Sequence, residues 1–336
     1  MGQFLSLSCV KTKYTLANTT EDIPNNSEDI STESEDIYKL KNNYILYWRL
    51  CNNELEIFNI NKLSLSELKT LKLSDKELYK FKRPCNKLDS ISNIVYKYNN
   101  DIYKTSEIDK THIFNLIKRK NIKNVLLPKL IYKKFNMFIE IYDYYKEGDL
   151  FNYVSSNNLS FNSKLNLLKK IVIIIKDIHS INITHRDIKL ENFVIDNVNG
   201  DIVPILIDLD YANLSNQNTG FRGGTYMYVS PERLNIELIN GNMKACDIWA
   251  LGVVFYTIIF NEAIWLSPDY TNDEHYRNYY DYNVNNNNSY WNDFIDETNE
   301  IDSNYKDKFK KIFNYCFNLD YNNRNNILYI YYILFN

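Results

Sequence analysis

The chain has 336 residues, 45% of them apolar, and a net charge of −3, which provides for a substantial core and excludes the strongly basic balance of a nucleic-acid binder. Five scattered cysteines (Cys9, Cys51, Cys85, Cys246, Cys316) form no Cys-x-x-Cys pair, so they argue against a disulfide framework or a zinc site and for a reducing cytoplasmic setting. No apolar run reaches the ~18 residues that would span a bilayer.

The first residues, Met1-Gly2-Gln3-Phe4-Leu5-Ser6, fit the Met-Gly-x-x-x-Ser/Thr pattern for myristoylation at Gly2. One acyl chain binds membrane only marginally, so stable attachment needs a second signal. Cys9 offers one by palmitoylation, and Lys11 and Lys13 add attraction to anionic lipid. The expectation is a cytoplasmic chain, either held at the cytosolic face of a membrane through these signals or carrying the pattern by chance. Residues 14–36 mix Glu and Asp with Ser, Thr and Asn, bury little and read as a disordered tether, making 1–36 the first segment.

From about Tyr38 to Asn99, short runs of Ile, Leu, Tyr and Phe between polar breaks predict strands. A helix is expected over 105–120 and extended runs over 122–132 and 136–145. Gly148-Asp149-Leu150-Phe151 opens a helical half. Across 162–180, Leu165, Leu168, Val172, Ile175 and Ile178 recur at three- and four-residue steps and mark one buried helix face. Asn192–Asp196 and Val203–Ile207 predict paired strands about the Asn199-Gly200-Asp201 turn. Ile248–Phe260 is apolar nearly all round and predicts a buried central helix. Residues 269–305, rich in Asn, Tyr and Asp, read as a surface insertion, and another helical pattern begins near Tyr305. Strands followed by helices make an α+β arrangement of two lobes, 37–142 and 143–336, with a ligand cleft between them.

The chemistry concentrates in His185-Arg186-Asp187-Ile188-Lys189-Leu190-Glu191-Asn192. This stretch resembles the catalytic loop of protein kinases at every defining position. The resemblance implies that Asp187 orients the attacking hydroxyl, Lys189 steadies the transferring phosphoryl group and Asn192 reaches a magnesium ion. The Asp-x-Lys-x-x-Asn form resembles serine/threonine kinases. Ile205-Leu206-Ile207-Asp208-Leu209-Asp210 resembles the metal-binding Asp-Phe-Gly strand, with Asp208 as the Mg²⁺ carboxylate and Asp210 in place of the glycine. Gly224-Thr225-Tyr226-Met227-Tyr228-Val229-Ser230-Pro231-Glu232 resembles the end of an activation segment. By the same resemblance Thr225 bonds near Asp187 and Lys189, Glu232 pairs with Arg324, and Asp247 bonds the backbone of the catalytic loop. Arg186 implies a pocket for a phosphate on the activation segment, with Ser215 and Thr219 in that stretch, although solvated loop hydroxyls explain both equally well.

In the amino-terminal lobe, Asn93-Ile94-Val95-Tyr96-Lys97 resembles the Val-Ala-Ile-Lys strand, so Lys97 is expected to bind the α- and β-phosphates. Its partner acid is Glu107 by residue type, while counting back from the hinge points to His112. The hinge falls at Asp143-Tyr144-Tyr145, where Asp143 and Tyr145 would meet the adenine beneath Tyr142. Counting back from Lys97 puts the phosphate loop near Asp75–Phe81, yet no glycine lies between Gly2 and Gly148. The resemblance therefore implies a Ser/Thr protein kinase using ATP and Mg²⁺ on protein substrates. The alternative is a pseudokinase, a kinase-shaped binding or scaffold module.

Overall fold

The computed structural model of the chain describes residues 45–51, 54–59, 79–82, 94–98, 100–106, 108–134, 137–215, 224–234, 243–285, 289–324 and 326–336. Gly2, Cys9 and the tether lie outside the described residues.

Strand β1 (Ile45–Cys51) pairs antiparallel with both β2 (Glu54–Asn59) and β3 (Tyr79–Lys82). Of the phosphate loop expected at Asp75–Phe81, the last residues therefore belong to a strand, and 75–78 lie outside the described residues. A second antiparallel sheet has the order β4-β5-β7-β6, from β4 (Ile94–Tyr98), β5 (Asp101–Ser106), β6 (Leu130–Lys134) and β7 (Met137–Asp143). Helix α1 (Thr111–Arg119) follows β5 and buries Ile113, Phe114 and Ile117. The helix expected over 105–120 is thus shorter, because Asp101–Ser106 alternates as a strand between β4 and β7.

Beyond β7 the chain becomes helical. Asp149 caps α2 (Leu150–Ser156) by accepting from the Asn152 amide at 2.8 Å. Ser160 caps α3 (Phe161–Ser180) in the same way, and α3 buries Leu165, Leu168, Val172, Ile175 and Ile178 as its periodicity requires. Strands β8 (Ile183–Thr184) and β11 (Asn213–Leu214) flank a hairpin of β9 (Phe193–Val198) and β10 (Asp201–Leu206). Its turn residues Asn199 (φ 54°) and Gly200 (φ 87°) both take the left-handed conformation that a two-residue hairpin of matching twist demands.

Helix α4 (Met243–Phe260) is long and apolar enough to cross a membrane, but it is buried almost completely at the centre of the helical lobe, as a core helix is. A β-carbon on Gly252 would stand 2.7 Å from Cys316 Cβ and 2.9 Å from the Phe317 ring. Neither neighbour is a flexible tip, so Gly252→Ala is expected to cost about 1–3 kcal/mol by overpacking. Thermal unfolding checks this, and an unchanged melting temperature would contradict it.

Residues 269–305 are not a surface insertion. They contain α5 (Glu274–Asn285) and α6 (Tyr290–Glu297), whose Tyr276, Tyr279, Trp291 and Ile295 are buried. Trp291 stacks on Phe313 and Phe317 of the following segment, with ring centroids 5.0 Å apart in each case. Helices α7 (Lys306–Cys316) and α8 (Ile327–Phe335) complete the lobe.

Candidate active site

The catalytic loop turns sharply between β8 and β9, and Arg186 adopts a left-handed conformation (φ 70°). Strain of this kind persists only where surrounding structure over-determines it. Here the fixing group is Asp247 on α4. Its carboxylate accepts from the backbone amides of His185 and Arg186, each at 2.8 Å, and meets His179 Nε2 at 2.9 Å. Burial alone would raise the Asp247 carboxyl, but the bonds and charge of His179, with His185 and the Arg186 amide, bring it below the usual range. Arg233 adds a further brace by donating to the Arg186 carbonyl at 2.8 Å.

Held this way, Asp187, Lys189 and Asn192 converge. Lys189 Nζ lies 3.1 Å from Asp187 Oδ2 and donates to Thr225 Oγ1 at 2.8 Å. Asp187 Oδ1 accepts from the Thr225 amide at 3.2 Å and from its hydroxyl at 3.4 Å. Asn192 uses its amide nitrogen on the Asp187 carbonyl (2.8 Å) and on Asp187 Oδ2 (3.0 Å), which leaves its amide oxygen as an acceptor. The activation segment is thereby tied to the catalytic loop at its chemical centre. Glu232 forms a buried ion pair with Arg324, as their places in the sequence suggested.

Asp208 follows β10 and also adopts a left-handed conformation (φ 62°). The lysine that meets it is Lys104 on β5. Lys104 Nζ lies 2.7 Å from Asp208 Oδ1 and 2.5 Å from Asp210 Oδ1. Lys97 stands on β4, paired with Ile102, one strand farther from β7. Ile94–Tyr98 and Asp101–Ser106 are two strands of one hairpin, each carrying a lysine, and the side chain of Lys97 lies outside the described residues. The Asn99-Asn100 pair between them is a turn signal that would have separated the two. With Lys104 as the reference, the count back to the phosphate loop moves into residues outside the described ones.

Burial lowers the Lys104 ammonium's affinity for its proton, but Asp208 and Asp210 overcome this and raise it above the usual lysine value. Burial pushes both carboxyls up. Lys104 more than offsets this for Asp208, which ends below the normal range, whereas Asp210, beside the Asp208 charge, stays well above it. Asp210 itself has no left-handed φ, so the residue that replaces glycine here strains nothing.

Glu107 lies outside the described residues, and His112 is exposed on α1. From Thr111 to Arg119, α1 contains no acid, and its inward positions are Ile113, Phe114 and Ile117. Lys110, just before it, donates instead to the Ala212 carbonyl at 2.8 Å. An acid absent from the sequence-based expectations is Glu140, buried on β7 directly opposite Lys104 and accepting from the Tyr142 hydroxyl at 2.7 Å. Burial raises its carboxyl, and the Tyr142 bond offsets part of that.

The predicted hinge residues occupy the passage from β7 to α2. Asp143 pairs with Lys129 at 2.9 Å, the Tyr144 amide donates to the Asn100 carbonyl at 2.9 Å, and Tyr145 is partly buried. Arg186 donates to the Leu214 carbonyl and to Thr184 Oγ1, both at 3.3 Å, and Ser215 donates to the Asn182 carbonyl at 2.9 Å. Thr219 lies outside the described residues.

A strand-rich lobe and a helical lobe, joined at such a hinge and carrying these motifs in this order, define a protein kinase fold. The chain matches the protein kinase domain family over residues 92–331 and belongs to that family. It is 34% identical over 160 residues to developmentally-regulated protein kinase 1 of Dictyostelium discoideum, covering 46% of this chain and 22% of the relative. It is 27% identical over 172 residues to myosin light chain kinase A of the same organism, covering 48% and 57%. It is also 27% identical over 160 residues to the probable serine/threonine-protein kinase 2 of Plasmodium falciparum, covering 46% and 31%. The matched region therefore spans between about a fifth and somewhat over half of these relatives' own lengths.

Proposed function

We propose that the chain is an active protein kinase that transfers the γ-phosphoryl group of ATP to Ser or Thr hydroxyls of protein substrates, with Mg²⁺. The observation that carries this reading is the convergence of Asp187, Lys189, Asn192 and Thr225, held by Asp247. The serine/threonine kinases among its relatives support the hydroxyl specificity.

Asp187 is half of a two-sided arrangement. One carboxylate oxygen is fixed by Thr225, and the other faces Lys189 and Asn192. It would orient the substrate hydroxyl and accept its proton as the oxygen takes the phosphoryl group. Lys189 would place its charge beside the equatorial oxygens that gain negative character. Lys104 would bind the α- and β-phosphates.

Among the described residues no cluster of three or more His, Cys, Asp or Glu side chains could enclose a metal. The donors that remain, the half-buried Asp208 carboxylate and the Asn192 amide oxygen, are hard oxygens. Two such donors suit Mg²⁺, which keeps waters and takes phosphate oxygens rather than an all-protein cage. When bound, Mg²⁺ supplies positive charge against the β- and γ-phosphates.

A binding or scaffold module is the second reading. It is favoured by the lack of any glycine between Gly2 and Gly148 that would let backbone amides approach a triphosphate closely. The test is incubation of the purified chain with γ-labelled ATP, Mg²⁺ and a basic protein substrate, beside Asp208→Asn. Label on Ser or Thr that disappears in the variant is the expected result. No transfer, together with no Mg²⁺·ATP-dependent rise in melting temperature, would sink the kinase reading and leave the module.

A further inference from the structure

The geometry points to Asp210 as the residue that positions Lys104, in the office that an acid on the neighbouring helix would otherwise fill. The inference rests on the kinase reading above. A buried ammonium needs a fixed anion if it is to hold one direction without a prohibitive desolvation cost. Among the described residues two anions touch Lys104, Asp208 at 2.7 Å and Asp210 at 2.5 Å. Asp208 is the more exposed of the two, at 36% against 11%, and is the carboxylate assigned to metal. Once it is so engaged, Asp210 is the anionic contact that remains among the described residues.

The surroundings agree. Between Thr111 and Arg119, α1 has no acidic residue, and at its start Lys110 binds the Ala212 carbonyl, two residues beyond Asp210. Glu140 faces Lys104 across the sheet, but it accepts its hydrogen bond from the Tyr142 hydroxyl. The lysine is therefore oriented from the activation segment rather than from the helix. Its alignment follows the conformation of Asp208-Leu209-Asp210 and not the position of α1.

The decisive variant restores the residue usual in the family. If Asp210 were a neutral replacement, Asp210→Gly would leave ATP use unchanged or improve it. The expected result is the reverse: Asp210→Gly and Asp210→Asn each raise the KM for ATP by about tenfold, the loss of one charge-assisted bond, with a smaller change in kcat. A second readout does not depend on activity. Brief acetylation with acetic anhydride, followed by mass spectrometry, compares Lys104 with Lys146, whose side chain is 85% exposed. Lys104 should react several-fold faster in Asp210→Asn, which keeps the size of the side chain but not its charge. A parental KM in both variants with unchanged Lys104 labelling would overturn the inference. If the parent transfers no phosphoryl group, the kinase reading falls separately, and the labelling decides: faster modification upholds the positioning role and an unchanged rate ends it.

Discussion

Asp187→Asn is expected to lower phosphoryl transfer by about 10²–10⁴-fold while leaving Mg²⁺·ATP affinity near that of the parent. The reason lies in what the side chain touches. Asp187 contacts Lys189, Asn192 and Thr225, all groups of the helical lobe, and none of the residues assigned to the nucleotide's α- and β-phosphates. Asparagine keeps the size and can still accept from the Thr225 amide, so the loop should remain folded. It cannot take a proton from the incoming hydroxyl, and it leaves Lys189 without its carboxylate. The loss should therefore fall on kcat. Single-turnover transfer and nucleotide binding, measured on the same preparation, separate the two quantities. A variant with parental transfer would remove Asp187 from the reaction, and a variant that loses binding equally would make its role structural.

The carboxyl-terminal half of this site was legible because its chemistry is local in sequence. The proposed roles of hydroxyl-orienting acid, phosphoryl-steadying lysine and metal-binding amide would have to share one short loop, and Asp187, Lys189 and Asn192 occur within six residues. The supports could be read as well: Asp247 opens an apolar helix, and Arg324 follows a loop that returns it to Glu232. The amino-terminal lobe offered no such anchor. Its strands are short and rich in Lys and Tyr, and the missing glycines removed the landmark from which the lysine is normally counted. Sequence alone pointed to Lys97, and Lys104 stands out only through the pairing of its strand with β7. Residues 269–305 misled for another reason. Tyr side chains among Asn and Asp resemble a solvated loop, yet Tyr276 and Tyr279 lie three residues apart and Trp291 and Ile295 four apart, the steps of buried helix faces. Glu140 left no signal, because a single acid in an apolar strand gains meaning only from the lysine set opposite it.

The choice between the two lysines makes the largest difference to how the cleft works, and paired substitutions resolve it. Lys104→Met should reduce phosphoryl transfer by about 10²–10³-fold, the cost of removing one preorganised cationic donor. Lys97→Met should fall within a fewfold of the parent. Lys104 is buried and in contact with both Asp208 and Asp210, so its removal also leaves two carboxylates without their common counter-ion. That should draw a proton onto the pair and weaken the metal carboxylate as well as the phosphate contact. Two consequences should therefore appear together in Lys104→Met: a raised KM for ATP, and a higher Mg²⁺ concentration for half-maximal activity. Lys97→Met should show neither. The reverse pattern, with Lys97→Met inactive and Lys104→Met near parental, would mean that the Lys104–Asp208 pair is a structural tie and that the phosphates are held from β4. Equal, moderate losses in both would divide the charge between two strands of one hairpin, a solution open to a cleft that has no glycine-rich loop to bring backbone amides to the triphosphate.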